Sequence, residues 1–244
     1  PAVPLPAHSP RSRARWTPLM DRTESTFSLL ALEGKSTCRR GWMTVTRRLI
    51  QLYAGLALYG FSLALMIRAG LGLAPWDVLH EGIAGRVPLS FGIVMIIVSA
   101  LVMLAWVPLR QRPGLGTISN MIVIGLAVDA SLLVLPTPGP LAWRVAFMVG
   151  GVALNGVATA AYIGARFGPG PRDGLMTGLV ARTGRSIRVV RTSIEVSVLA
   201  TGWLLGGTVG VGTVVYALGI GPLAHILLPL LTVPEREPAR SVPR

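Results

Sequence analysis

The sequence predicts an all-α membrane protein, with six transmembrane helices as two inverted three-helix repeats, each carrying a short Pro-x-Asp helix that is either re-entrant or interfacial. Three observations predict it: apolar runs of bilayer length, an internal duplication, and arginine confined to one side of the predicted membrane. Of 244 residues, 52% are hydrophobic and 14% charged, whereas a soluble domain carries about 25% charged residues. So few charges cannot cover a water-facing surface.

The apolar runs fall at 49–67, 90–108, 115–135, 143–164, 189–206 and 212–231. Each is about 18 to 22 residues long, the length a helix needs to cross a hydrocarbon core about 30 Å thick. Residues 1–42 are rich in Pro, Ser and Arg without apolar periodicity. They read as a disordered cytoplasmic tail, or as a segment upstream of a natural start at Met43. The apolar run after Arg47 and Arg48 is too long for a signal-peptide core and lacks a small-residue cleavage site, so it reads as a retained anchor. Residues 43–138 form the first repeat, 139–232 the second, and 233–244 a polar Pro/Arg tail.

Sliding the chain against itself by 96 residues aligns Pro75 with Pro171 and Asp77 with Asp173 without a gap. Gly55, Leu58 and Gly60 then fall on Gly151, Leu154 and Gly156, Ser90 on Ser186, and Gly114, Gly116 and Thr117 on Gly210, Gly212 and Thr213. Over positions 55–135, 24 of 81 residues match their partners. Low-complexity apolar sequence does not produce an ungapped series of paired Gly, Pro, Asp and Thr, so the duplication is real. Three spans per copy is an odd number, which turns the second copy upside down.

Arginine placement agrees. With the N-terminus inside, the inner side receives Arg39, Arg40, Arg47, Arg48, Arg110, Arg112, Arg166, Arg172, Arg182, Arg185, Arg188, Arg236, Arg240 and Arg244. The other side receives Arg68, Arg86 and Arg144. This is the positive-inside pattern, with both termini cytoplasmic and the chain multi-pass in a cell membrane. The net charge of +13 is therefore orienting charge at span ends, and a nucleic-acid partner is not expected. The lipid bilayer is the expected partner, and a homo-oligomer stays open.

The duplicated motif Pro-x-Asp-x-Leu-x-x-Gly is held by Pro75, Asp77, Leu79 and Gly82, then by Pro171, Asp173, Leu175 and Gly178. Proline ends the preceding helix, and a short Asp side chain can accept the free N–H groups of a new one. Two readings stand beside each other: an interfacial helix whose Asp is a cap, or a re-entrant half-helix whose N-terminus faces a central site. In the second, Pro75, Asp77, His80, Glu81, Pro171, Arg172 and Asp173 are the candidate substrate-binding residues. Asp, His and Glu on one side suit a cationic solute or proton coupling; Arg172 on the other suits an anion.

Within the spans Asp129, Glu195 and His225 are ionisable and costly in lipid, hence functional candidates. Asp129 and His225 are repeat partners, but each lies beyond its span centre on opposite sides of the midplane, which separates them. Glu195 has Arg191 one turn earlier as an i, i+4 partner. Asn120, Asn155, Tyr59 and Tyr216 are expected to bond between helices. No Walker loop, His-Glu-x-x-His, serine elbow or Cys/His metal spacing occurs, so neither an enzyme nor a cofactor or metal is expected. Cys38 is the single cysteine, which excludes an internal disulfide. The glycines of GLGT and GVGT, at span starts, read as packing glycines.

The stretches LAPWDVLHEG, GPGPRDGLMTGL and GTVVYALGIGPLAHILLPLL resemble the bacterial YczE/YyaS/YitT family of membrane proteins, in its YczE-like branch, over about residues 43–232. That resemblance implies a multi-pass protein of the bacterial plasma membrane and supplies no substrate or reaction. The architecture points to a small-solute transporter or permease with a central site between the two Pro-x-Asp helices. The alternative is a non-transporting scaffold or regulator of a partner complex.

Overall fold

The computed structural model describes residues 20–233, with side chains from residue 45 onward. The chain divides into two units, residues 1–45 and 46–244. In the first, helical backbone begins at Met20, where the sequence, lacking apolar periodicity, predicts no regular structure. Residues 1–19 of the predicted N-terminal tail, and 234–244 of the C-terminal one, lie outside the described residues.

All regular structure described is helical: α1 (Met20–Ala69), α2 (Pro75–Ala84), α3 (Phe91–Leu104), α4 (Trp106–Leu109), α5 (Leu115–Val134), α6 (Leu141–Gly164), α7 (Pro171–Thr183), α8 (Ile187–Leu204) and α9 (Val211–Leu231). Five stretches are long and apolar enough to cross a membrane: Val45–Ala69, Phe91–Leu109, Leu115–Val134, Leu141–Gly164 and Val211–Leu231. Each overlaps a predicted span. The remaining span, predicted at 189–206, is α8, which is 18 residues long and carries Arg188, Arg191 and Glu195. Large apolar side chains such as Leu101, Leu104, Leu126, Leu133 and Leu218 are exposed on the outside, as a hydrocarbon solvent requires.

The helices begin in the same way in both halves. Ser90 and Ser186 cap α3 and α8 by accepting the N–H of Ile93 and of Val189. Thr117 and Thr213 accept the N–H of Gly114 and of Gly210 at the starts of α5 and α9. Left-handed backbone recurs in pairs spaced like the sequence repeat: Gly70 with Arg166, Gly72 with Gly168, and Arg110 with Gly206. A non-glycine residue at positive φ is uncommon, so Arg110 and Arg166 reproduce a bend that their partners make with glycine.

Contacts between the halves are reciprocal. The Gly116 N–H donates to the Phe167 carbonyl at 2.9 Å, and the Gly212 N–H to the Leu71 carbonyl at 2.8 Å. A Cβ on Gly55 of α1 would meet Ala158, Ala161 and Tyr162 of α6, and one on Gly151 of α6 would meet Ser62, Leu65 and Met66 of α1. The short helices cross over: α2 packs on α8, and α7 on α3 and α4. Glycine permits such close approach. In the most apolar window of α1, 56% of residues are buried, against 6% in α9. The Val45–Ala69 stretch of α1 is therefore central and α9 peripheral.

Two sets of contacts tie α1 and α6 together. Arg48 donates to the carbonyls of Ala165 and Arg166, while Arg144 donates to those of Ala69 and Gly70, each within 2.9 Å. The start of the α1 span thus meets the end of α6, and its end meets the start of α6. Arg68 adds a bond to Thr137 and one to the Leu132 carbonyl, so arginine guanidinium groups satisfy carbonyls that helix ends leave free.

The crossed packing of α7 depends on Gly174. A Cβ there would lie 2.0 Å from the indole of Trp106, too close without displacing α7. We expect Gly174→Ala to lower the apparent melting temperature in detergent, by the equivalent of about 1–3 kcal/mol. Gly150→Ala, whose Cβ would meet nothing within 4 Å, should leave it unchanged or raise it slightly. Equal melting of the two variants would contradict this packing.

Candidate functional site

Pro75 and Pro171 stand at the first positions of α2 and α7, with Ala74 and Gly170 as the flanking cap residues. Proline suits that position because the N–H it lacks has no helical partner there. Asp77 and Asp173 therefore sit in the third helical position, and no side chain caps either helix. The predicted Asp N-cap is not what forms, because proline at the first position places the cap residue ahead of the motif. Both carboxylates instead project from the first helical turn.

The two motif starts come together. The Arg172 guanidinium lies over the Trp76 ring at 5.9 Å, a cation–π distance, and these two residues are repeat partners. Arg172 also donates to the Tyr59 hydroxyl at 3.3 Å. Around them opens a cavity of about 420 Å³ lined by Pro75, Trp76, Asn120, Tyr59, Tyr162, Tyr216, Pro171, Arg172, Asp173, Arg191, Glu195 and His225, among others. That volume lies within the range of small-molecule sites, about 300–1,000 Å³.

Of the ten candidate residues, six reach this cavity: Pro75, Pro171, Arg172, Asp173, Glu195 and His225. Asp173 accepts from the Tyr162 hydroxyl at 3.4 Å. Glu195 accepts from Arg191 at 2.9 Å, the i, i+4 pair read from the sequence. Asn155 donates to Ser62 at 2.9 Å and accepts from Tyr216 at 3.1 Å, bonding α6 to α1 and α9.

The other four candidates lie elsewhere. Asp77 and His80 are 0% and 2% exposed, with His80 Nδ1 at 3.4 Å from Asp77 Oδ1. Burial pushes the His80 imidazole below its ordinary value, opposed by the adjacent Asp77 carboxylate. Glu81 accepts the Thr208 N–H at 2.5 Å, which fixes the loop ahead of α9. Asp129 accepts from Ser90 Oγ at 2.5 Å and from the Gly92 N–H at 2.8 Å. Its position inside an apolar run suggested function, but it caps α3, a helix whose start lies 37 residues away in sequence. His225, its repeat partner, lines the cavity instead.

Sequence reasoning placed Tyr59 and Tyr216 as interhelical bonding residues and did not single out Trp76 or Tyr162 for the site. The signal was weak: Trp76 and Arg172 stand at equivalent motif positions but differ in chemistry, so identity counting passes over them.

Comparison with known proteins follows this geometry. A model of a family of unknown function, DUF6198, matches residues 46–229. An uncharacterised protein of Haemophilus influenzae is 40% identical over 190 residues, 78% of this chain and 87% of the relative. The uncharacterised membrane protein YczE of Bacillus subtilis is 32% identical over 179 residues, 72% and 83% of the two chains. YyaS of the same organism is 25% identical over 182 residues, 72% and 90%. No solved structure matches.

Because Asp129 bonds two groups at the start of α3, Asp129→Ala should cost stability of about 0.5–2 kcal/mol, the range for a lost helix cap. Thermal unfolding in detergent measures this. A variant as stable as wild type would deny Asp129 the capping role.

Proposed function

We propose that this chain, which belongs to the DUF6198 family of YczE-like membrane proteins, is a small-solute transporter or permease whose site is the cavity between the two Pro-x-Asp helices. One observation carries the reading: a 420 Å³ cavity is lined from both motifs at once. Its wall supplies two guanidiniums, two carboxylates, an imidazole, three phenols and an indole. A packed membrane core has no use for so many polar groups unless something polar enters. The prolines break the helices where irregular backbone borders a cavity, the setting in which lipid tolerates it.

The six-span, inverted-repeat arrangement is part of this proposal. It is supported by the reciprocal Gly116–Phe167 and Gly212–Leu71 bonds, by α1 and α6 meeting start to end, and by the arginine asymmetry. Under it α8 is the sixth span, its Arg191 and Glu195 facing the cavity rather than lipid. Both termini are then cytoplasmic, in the plasma membrane. Alternating access comes from one repeat tilting against the other about the Trp76–Arg172 contact.

Two labelling experiments test it in a Cys38→Ser background in liposomes. Cysteines at Gly85 and Ala181, exposed repeat partners, should react with impermeant thiol reagents from opposite faces; reaction of both from one face sinks the inverted arrangement. A cysteine at Ala224, in the cavity wall, should react from either face of an alternating-access protein. Reaction from one face alone makes the cavity a blind pocket and removes transport.

A further inference from the structure

Beneath the large cavity lies a second, of about 10 Å³, lined by Trp76, His80, Asn120, Pro171 and Arg172 among others. That is the volume of about one water. Trp76, Asn120, Pro171 and Arg172 border both cavities, so they form the wall between them. His80 lines the small cavity on the other side of that wall, with Asp77 beside it.

Among the described residues, no hydrogen bond of good geometry reaches either carboxylate oxygen of Asp77 or either ring nitrogen of His80; the two side chains approach each other at 3.4 Å. A fixed structural carboxylate buried in a membrane protein is normally held by several N–H or O–H donors. Glu81 and Asp129 show this chain doing so, each bonded to a backbone N–H. Asp77 is treated differently, and a buried acid–imidazole pair without fixed donors is suited to bind something small and mobile.

We propose that Asp77 and His80 together form a buried proton-binding site whose occupancy is read by Arg172 in the wall of the solute cavity. Without the added proton, the Asp77 carboxylate and neutral imidazole carry one negative charge toward Arg172. With it, the pair is neutral overall, and the guanidinium charge is released toward the large cavity. The proton comes from water and returns to water; no other bond is made or broken. The remaining charged groups nearby are committed. The α3 helix has none, Glu195 and Arg191 on α8 hold each other, Asp129 on α5 caps α3, Asp173 on α7 takes the Tyr162 hydroxyl, and Glu81 on α2 itself takes the Thr208 N–H. Coupling of this proton to solute movement rests on the transport reading; the proton site does not.

The test is infrared difference spectroscopy of the full chain in liposomes, stepped between about pH 8 and about pH 5, the range in which an imidazole–carboxylate pair is expected to respond. The expected result is a proton-binding band of the pair, imidazolium or protonated carboxyl, that is lost in Asp77→Asn, returns at a shifted frequency in Asp77→Glu, and in His80→Gln shows proton affinity changed about tenfold or more. His80→Gln retains Asp77, so it decides the matter should Asp77→Asn not fold. A band unchanged in Asp77→Asn, or an identical midpoint in His80→Gln, overturns the site. Two-sided labelling at Ala224 with no such band would leave transport standing without this proton.

Discussion

The arrangement rests on one constraint: where helices are broken, the backbone groups that the breaks expose must find partners within the protein, and lipid offers none for them. Pro75 and Pro171 interrupt two helices in the apolar part of the sequence. The loops ahead of them would leave the carbonyls of Leu71 and Phe167 unpaired. Each accepts an N–H from the other half, Gly212 for Leu71 and Gly116 for Phe167. Neither copy can complete its own break, so the two must fold against each other. The glycines at 72, 116, 168 and 212 follow from this, since a Cβ on Gly116 or Gly212 would stand within 3 Å of the opposing backbone.

Within that shared frame the halves have diverged in a way that makes a site. Where α2 crosses α8, Gly202 admits the backbone of Val78 and Leu79. At the equivalent crossing of α7, Gly174 admits the large side chain of Trp106, whose indole N–H donates to the Pro171 carbonyl at 3.1 Å. The small partner has changed sides. Likewise Trp76 faces Arg172 rather than a second Trp or a second Arg, turning what symmetry would make a like pair into a cation–π contact. Two arginines there would repel, and two tryptophans would carry no charge for the cavity.

How much of this is legible in the sequence follows from what kind of physics each feature uses. Backbone demands are legible: proline marks the breaks, and glycine pairs at constant offset mark the close approaches. The spans are legible because hydrocarbon thickness fixes their length. What a side chain does depends on tertiary neighbours, and that is where sequence reasoning fell short. Asp129 and Asp77 are both acids in apolar surroundings, yet one is hydrogen-bonded by Ser90 and Gly92 while the other lies against His80. Nothing local distinguishes them. The expected cap role of the motif acids failed for a local reason, proline at the first helical position, which moves the cap to Ala74 and Gly170. Trp76 and Tyr162 entered the cavity unannounced because aromatic residues in membrane helices are common and carry no pattern of their own.

The same divergence makes the crossing of the two motifs chemically asymmetric. Were the two copies identical, residues 76 and 172 would be the same residue, and the two faces of the cavity would be chemically equal. Here one face carries a buried acid–imidazole pair behind Trp76, and the other carries an open acid, Asp173, beside Arg172. Arg172 is the charged residue among those that border both cavities, and it stacks on Trp76 and bonds Tyr59 from the central helix. A guanidinium cannot lose its charge in a protein, so it can respond to its neighbours only by shifting between them.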